Sequence, residues 1–288
     1  MASKDIKLWE NNIPDSDLFS TEGDINNEGL PSITPYILEG EKLRPTIIVC
    51  PGGAFQLRAG NEGVPIALWL NQIGINAIIV NYRVAPFSPV TSIKDAVRAV
   101  KYIRYHAREL NIDPERIGMI GFSAGGYITS FLGTHLDNEM IKPEGRYTQI
   151  MSALLGEPDL NDPIDQTSAK LNAIILCYAE TAPFSSEKLP PTSWIPEDIT
   201  IDEFIDFYTN HKHVSVVTPP TFLWITSKDD WNFQPQNLLF AQALYEHDLS
   251  FDMHVFTKGN HGMGLANDEP TVAAWTKLCE NWLQTFFV

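Results

Sequence analysis

Ser123 stands in a pattern that can hold a serine side chain ready to act as a nucleophile. Gly121-Phe122-Ser123-Ala124-Gly125 fits G-x-S-x-G, but chance supplies this pattern in roughly one chain in ten because glycine and serine are common. An apolar run at 117–120 precedes it and a plausible helix at 126–132 follows it. Because a nucleophile elbow needs this strand–turn–helix setting, we predict that Ser123 is a nucleophile rather than an ordinary helix cap.

A serine hydroxyl reacts only when a base takes its proton and a carboxylate holds that base in place. Of the seven histidines, His261 has the most suitable surroundings, a glycine-rich loop at 259–264 that follows the last apolar run. The acid should end the preceding strand, where Asp229 and Asp230 are adjacent. Neighbouring side chains on an extended segment point opposite ways, so only one of them can serve His261. We favour Asp229 and expect Asp230 to cap or tie the loop.

A serine, histidine and acid of this kind carry out acyl transfer, in which the serine attacks a carbonyl carbon. That reaction also needs hydrogen-bond donors for the oxyanion of the tetrahedral intermediate. Gly52-Gly53-Ala54 follows the first apolar strand, where a donor loop is expected, although a simple turn is the alternative reading of the glycines. The residue after the nucleophile supplies the other N–H group. We therefore predict an oxyanion hole formed by Gly53, Ala54 and Ala124.

Three aromatic residues are candidates for substrate contacts. Phe55 adjoins the predicted oxyanion donors, and Trp194 and Trp231 lie in segments expected to overhang the site. Flat aromatic faces suit sugar rings, but packing within a lid explains these side chains equally well. The expected partner is a small ester, with an acetylated saccharide as the specific hypothesis.

The elements that must position these residues are short apolar strands alternating with helices. Continuous apolar runs are typical of strands buried on both faces of a parallel sheet, and a stripe of period 3.6 indicates each helix. The strands are predicted at 46–50, 77–80, 117–120, 173–177, 221–225 and 252–256, with further helices at 63–73, 93–110, 238–245 and 271–286. This alternation predicts an α/β fold with a doubly wound, mostly parallel sheet.

One domain over residues 1–288 is expected. Residues 1–44 are rich in Asn, Asp, Pro and Gly and are predicted to wrap the surface. Two polar stretches, at about 137–170 and 182–213, interrupt the alternation of strands and helices. Loops at the carboxyl ends of strands border the ligand sites of open α/β sheets, so we predict that both stretches form a small lid over the site.

Composition excludes several other classes of function. The net charge of −16, from 36 acidic and 20 basic residues, argues against nucleic acid and anionic membranes as partners.

The amino terminus lacks the apolar stretch of a signal peptide, so a cytoplasmic protein is expected. Cys50, Cys177 and Cys279 are predicted to be buried thiols, and neither a metal site nor a nucleotide motif is indicated. No cofactor is therefore expected, and both a monomer and a homo-oligomer stay open.

Five stretches of the chain together resemble one branch of the α/β-hydrolase superfamily, the small bacterial esterases related to acetyl-xylan esterases and hormone-sensitive-lipase-like enzymes. The matching stretches lie at 50–55, 81–86, 120–126, 218–224 and 261–262. The resemblance implies hydrolysis of carboxylic esters, often of acetyl groups on sugars, without a cofactor. Aligning residues 237–241 with the family's helix places Asp229 on the catalytic acid.

Two other functions compete with the esterase reading. A serine peptidase of the prolyl-oligopeptidase type has the same fold and triad, but it usually carries a large extra domain for which this chain has no room. A non-catalytic binding protein on a hydrolase scaffold generally loses a triad member, whereas candidates for all three are present here.

Overall fold

Short apolar runs of the sequence form the strands of one eight-stranded sheet. The computed structural model describes residues 4–10, 13–16, 30–40, 42–136 and 145–288. The strands within these ranges are β1 (Ile6–Lys7), β2 (Ser32–Tyr36), β3 (Arg44–Cys50), β4 (Asn76–Asn81), β5 (Ile112–Phe122), β6 (Ile174–Cys177), β7 (Thr221–Thr226) and β8 (Phe251–Phe256).

Helices connect the strands and cover the sheet. Those in the described ranges are α1 (Val64–Gln72), α2 (Pro89–Tyr105), α3 (Ser123–His135), α4 (Arg146–Leu155), α5 (Ile201–Phe207), α6 (Gln234–Glu246), α7 (Pro270–Ala273) and α8 (Trp275–Phe286). Short 3₁₀ turns form at Gly60–Glu62, Thr192–Trp194 and Asn210–His213.

The order of the strands brings six loops to one edge of the sheet. The order is β1-β2-β4-β3-β5-β6-β7-β8, and the strands from β4 to β8 pair in parallel. The carboxyl ends of parallel strands share an edge, so the loops after β3, β4, β5, β6, β7 and β8 lie together. The chain order reverses between β3 and β5, which is the point where open α/β sheets bind ligands.

Two apolar cores lie on the opposite faces of the sheet, as expected for strands buried on both sides. On one face α2 and α3 contribute Ile93, Val100 and Phe131. On the other face α1 and α8 contribute Leu70 and Trp275. The predicted doubly wound, mostly parallel sheet is therefore confirmed.

The amino-terminal region departs from its prediction as a surface wrap. Among its described residues, Ser32–Tyr36 forms β2, a largely buried strand that pairs antiparallel with β4. Pro35 interrupts this five-residue strand, so the sequence carries no clear strand pattern there. Pairing with the edge of β4 creates the strand, and that pairing joins residues far apart in the chain.

The described part of the first polar insertion, residues 145–170, does not form a lid. It contains α4 and packs against α2, where Arg98 pairs with Asp162 at 2.7 Å and Asp165 at 2.8 Å. Residues 137–144 of this prediction lie outside the described residues. Ile150 and Leu154 on α4 are buried, which explains why this segment lies on the helical layer. Within 182–213, by contrast, several residues line a cavity beside Ser123.

The three cysteines are buried and unpaired, as predicted. None of the helices in the described ranges combines the length and apolar character needed to cross a bilayer.

Candidate active site

Ser123 lies at a sharp turn between β5 and α3. Its φ of 50° is in the left-handed region that L-residues rarely adopt. A Cβ at Gly121 would lie 2.2 Å from the Thr129 Oγ1 atom, and one at Gly125 would lie 2.1 Å from the carbonyl oxygen of Cys50. Glycine is therefore required on both sides of the serine, because the strand, turn and helix approach one another too closely for side chains.

Three predicted residues form one continuous hydrogen-bonded chain. The Ser123 hydroxyl donates to His261 Nε2 over 2.7 Å, and His261 Nδ1 donates to Asp229 Oδ2 over 2.8 Å. Ser123 and Asp229 are only 6% and 5% exposed. The carboxylate selects the tautomer in which Nδ1 carries the proton, so Nε2 is free to accept the serine proton.

The adjacent Asp230 contacts a different part of His261. Its Oδ1 atom accepts a hydrogen bond from the backbone N–H of His261 over 3.0 Å, and this hydrogen bond lowers the pKa of Asp230. The second oxygen of Asp229 accepts from the backbone N–H of Trp231 over 2.9 Å. The structure therefore places Asp229 at the histidine ring and Asp230 at the histidine backbone.

Aromatic rings enclose the imidazole of His261. The Trp231 ring stacks on it with centroids 5.0 Å apart. Phe233 and Tyr178 meet it edge to face at 5.3 Å and 4.9 Å. These contacts fix the plane of the ring and exclude water from its faces.

The predicted oxyanion segment follows β3 in an unusual conformation. Gly53, Ala54 and Phe55 all have positive φ, at 127°, 54° and 59°. Glycine is needed at the first position, because a Cβ there would lie 2.2 Å from the carbonyl oxygen of Leu57. The N–H groups of Gly53 and Ala54 have no acceptor among the residues that the structure describes. The N–H of Ala124 lies in the first turn of α3, where helix geometry leaves donors unpaired.

A cavity of about 420 Å³ opens beside Ser123. All three predicted substrate residues, Phe55, Trp194 and Trp231, line it. Glu180 and Lys188 also line it and form an ion pair at 3.2 Å. The size is within the usual range for small-molecule sites, and most of the remaining wall is aromatic or apolar.

Sequence reasoning missed Glu180, Lys188 and two buried groups, Glu62 and Tyr178. Tyr178 directly follows β6 and Glu180 lies three residues after its end, so the rule that parallel strands end at a shared edge was a usable signal for them. Glu62 and Lys188 carried no such signal. Within the described ranges, no three His, Cys, Asp or Glu side chains are grouped as metal ligands.

Similarity to known proteins is extensive. The BD-FAE family model matches residues 36–244. An acetyl ester-xyloside bifunctional hydrolase from Caldicellulosiruptor lactoaceticus is similar in structure, with a TM-score of 0.80 and 39% identity over 98% of this chain and 96% of that chain.

Two curated relatives are considerably longer than this chain. Endo-1,4-beta-xylanase B of Butyrivibrio fibrisolvens is 27% identical over 93% of this chain but only 40% of its own length. Acetylxylan esterase of Xylanibacter ruminicola is 30% identical over 38% of this chain and 23% of its own length. The family model covers most of the chain from β2 to α6. The chain therefore belongs to the BD-FAE family and has the α/β-hydrolase fold.

Proposed function

We propose that this protein is a serine carboxylic-ester hydrolase, with Ser123 as nucleophile, His261 as general base and Asp229 as the carboxylate that orients it. The observation that carries the proposal is the hydrogen-bonded chain from Ser123 Oγ through His261 to Asp229. Its position beside a cavity lined by Phe55 and Trp231 supports access by a small ester.

The first half of the proposed reaction forms an acyl-enzyme. His261 Nε2 takes the proton of Ser123 as Oγ attacks the carbonyl carbon of the ester. The N–H groups of Ala124, Gly53 and Ala54 stabilise the oxyanion. The bond to the alcohol then breaks, and the alcohol leaves with the proton that His261 held.

The second half releases the acid by the same route. Water gives a proton to His261 and attacks the acyl carbon, the oxyanion forms again, and the bond to Ser123 Oγ breaks as His261 returns the proton. Asp229 stays ionised throughout and stabilises the imidazolium that forms twice in each cycle. Ser123, His261 and water account for every proton that moves.

For the substrate, we propose an acetyl ester on a small saccharide. Trp194 and Trp231 offer flat faces at the cavity, and the Glu180–Lys188 pair offers an acceptor and a donor for hydroxyl groups. The similar hydrolase from Caldicellulosiruptor lactoaceticus is named for acetyl esters and xylosides, which supports the same class of substrate here.

A Ser123→Ala variant tests the proposed reaction. We expect wild-type protein to hydrolyse p-nitrophenyl acetate and to be labelled by a fluorophosphonate, and we expect the variant to do neither beyond background. Equal turnover by both proteins would refute the role of Ser123.

A substrate panel tests the proposed specificity. Acetylated xylo-oligosaccharides and p-nitrophenyl esters of increasing acyl length are compared by kcat/KM, with aminoacyl-proline amides included for the peptidase reading. Preference for acetyl groups is expected. Preference for long acyl chains or for the amides would contradict the proposed substrate.

A further inference from the structure

Glu62 is a buried carboxylate beside the active site that the proposed reaction does not use. It ends the 3₁₀ turn Gly60–Glu62 and is only 2% exposed. Its Oε2 atom accepts from the backbone N–H of Gly52, and its Oε1 atom accepts from the hydroxyl of Tyr178, each over 2.7 Å. Burying a carboxylate is costly unless its oxygens find donors, so this position needs both contacts.

The first contact holds the oxyanion segment. Gly52 directly precedes Gly53 and Ala54, the two proposed donors after β3. Its own N–H points to Glu62 and is therefore not a donor to the oxyanion. A Cβ at Gly52 would lie 2.8 Å from both Glu62 Oε2 and Ser123 Cβ, so the carboxylate and the nucleophile turn both lie against Gly52.

The second contact holds the histidine loop. The hydroxyl of Tyr178 donates to Glu62 and accepts from the backbone N–H of Gly264 over 2.8 Å. The Tyr178 ring also meets the His261 ring with centroids 4.9 Å apart. Tyr178 is therefore a rigid, fully buried link between Glu62 and the loop that carries the base.

A neighbouring residue of the same turn makes an independent contact with that loop. Asn61 donates from Nδ2 to the carbonyl oxygen of Gly262 over 2.9 Å. A Cβ at Gly264 would lie 2.8 Å from the carbonyl oxygen of Asn61, so the turn and the loop are in close contact.

We propose that Glu62 is a positioning residue that sets the distance between the oxyanion donors and His261, acting through Gly52 on one side and Tyr178 on the other. The proposal rests on the proposed esterase activity. Neither Glu62 nor Tyr178 takes part in the proton transfers or in bond making and breaking. Their effect is on geometry, and small displacements of reacting groups cost up to about 100-fold in rate.

Three variants test this role. Tyr178→Phe removes one hydroxyl and leaves the ring, Glu62→Gln keeps the shape and removes the charge, and Asn61→Ala changes an exposed side chain. Asp95→Asn is the matched control, since Asp95 is also a buried carboxylate that accepts a backbone N–H, that of Arg83, over 2.8 Å. Circular dichroism establishes that each protein is folded.

We expect Tyr178→Phe and Glu62→Gln to lower kcat on p-nitrophenyl acetate by about 10- to 100-fold with KM changed less than about twofold. A trifluoromethyl ketone forms an adduct with the serine in which the former carbonyl oxygen is the oxyanion. Affinity for this inhibitor should fall in parallel with kcat. Asn61→Ala should show a smaller loss of the same kind, and Asp95→Asn should keep its kcat.

The proposal is overturned if the folded variants keep kcat within about twofold of wild type, or if Asp95→Asn loses kcat equally. Should Glu62→Gln fail to fold, Tyr178→Phe, which removes only the hydroxyl that donates to Glu62, decides by the same criterion. Failure of the esterase proposal is distinct, since wild-type protein would then show no turnover at all.

Discussion

Asp229 and Asp230 are adjacent, yet each holds a different part of His261. Asp229 accepts from the ring at 2.8 Å, whereas Asp230 accepts from the backbone at 3.0 Å. The ring contact determines which nitrogen faces Ser123. The backbone contact determines where the loop lies, and other hydrogen bonds, such as that from Asn61, hold the loop as well. The two carboxylates should therefore differ greatly in their effect on catalysis.

Replacing each carboxylate in turn by its amide tests this difference. We expect Asp229→Asn to lower kcat/KM on p-nitrophenyl acetate by about 10³- to 10⁴-fold, because an amide favours the wrong tautomer of His261. The matched variant Asp230→Asn should lose less than about tenfold, since it keeps an oxygen for the backbone N–H. An equal loss in the two variants would show that the ring contact is not the important one.

At the scale of elements, α5 illustrates how residues 182–213 are held in place. Thr200 and Glu203 form a reciprocal capping box at its amino terminus. Arg146 of α4 donates from Nε to Glu203 over 2.7 Å and also contacts the carbonyl oxygen of Asp198. Phe204 of α5 is buried. The described part of the first insertion, residues 145–170, therefore contacts residues 182–213 from the side, although none of its residues lines the cavity beside Ser123.

The hydrogen bonds that Glu203 accepts from Arg146 and Thr200 lower its pKa to about 2 from a usual value of 4.5, and the Arg146 hydrogen bond is the largest cause. Because the pKa of Glu203 is lower in the folded protein, this carboxylate takes up a proton in the unfolded chain before it does so in the folded protein as pH falls. The stabilisation by Glu203 is thus complete above about pH 4.5 and is lost between that pH and about 2. Urea titrations should show that the difference in unfolding free energy between wild type and Glu203→Gln shrinks as the pH falls from about 4.5 to about 2. A difference independent of pH would contradict the capping role.

At the scale of the whole molecule, one buried ion pair connects the sheet, a helix and the amino-terminal segment. Arg83 follows β4 and binds Asp95 of α2 through two nitrogens at 2.9 Å and 2.6 Å, and both side chains are fully buried. Arg83 also donates to the carbonyl oxygen of Pro14 over 2.6 Å. The family-typical stretch at 81–86 therefore has a structural role. We propose that the chain is one domain, because the contacts of Arg83 join the sheet, the helix α2 and the amino-terminal segment.

Removing one partner of this pair tests the single-domain proposal. Asp95→Ala leaves the Arg83 charge buried without its carboxylate and should lower the unfolding free energy by about 3–5 kcal/mol. In urea, far-ultraviolet circular dichroism and tryptophan fluorescence should shift together, since one cooperative unit unfolds. Separate transitions for the two probes would indicate two units, and a shift below about 1 kcal/mol would contradict the importance of the pair.

The sequence by itself determined the parts of this protein that depend on local chemistry. Short apolar runs predicted the strands from β3 to β7, because burial on both faces leaves no alternation. The edge strand β8, which has no buried residue, was also predicted from its run at 252–256. Glycines on either side of Ser123 marked the elbow, because that turn has no space for side chains. Chain order and glycine-flanked loops were enough to select His261 and to narrow the acid to two neighbours.

Tertiary structure alone decided the features that depend on contacts between distant segments. Asp229 rather than Asp230 faces the ring because of how the loops after β7 and β8 meet. Pairing with β4 creates β2, and packing on α2 draws residues 145–170 away from the site. Glu62 bridges to a tyrosine 116 positions later in the chain. A carboxylate gains donors, and a strand gains a partner, only when the folded chain brings them together, so no local pattern could reveal these contacts.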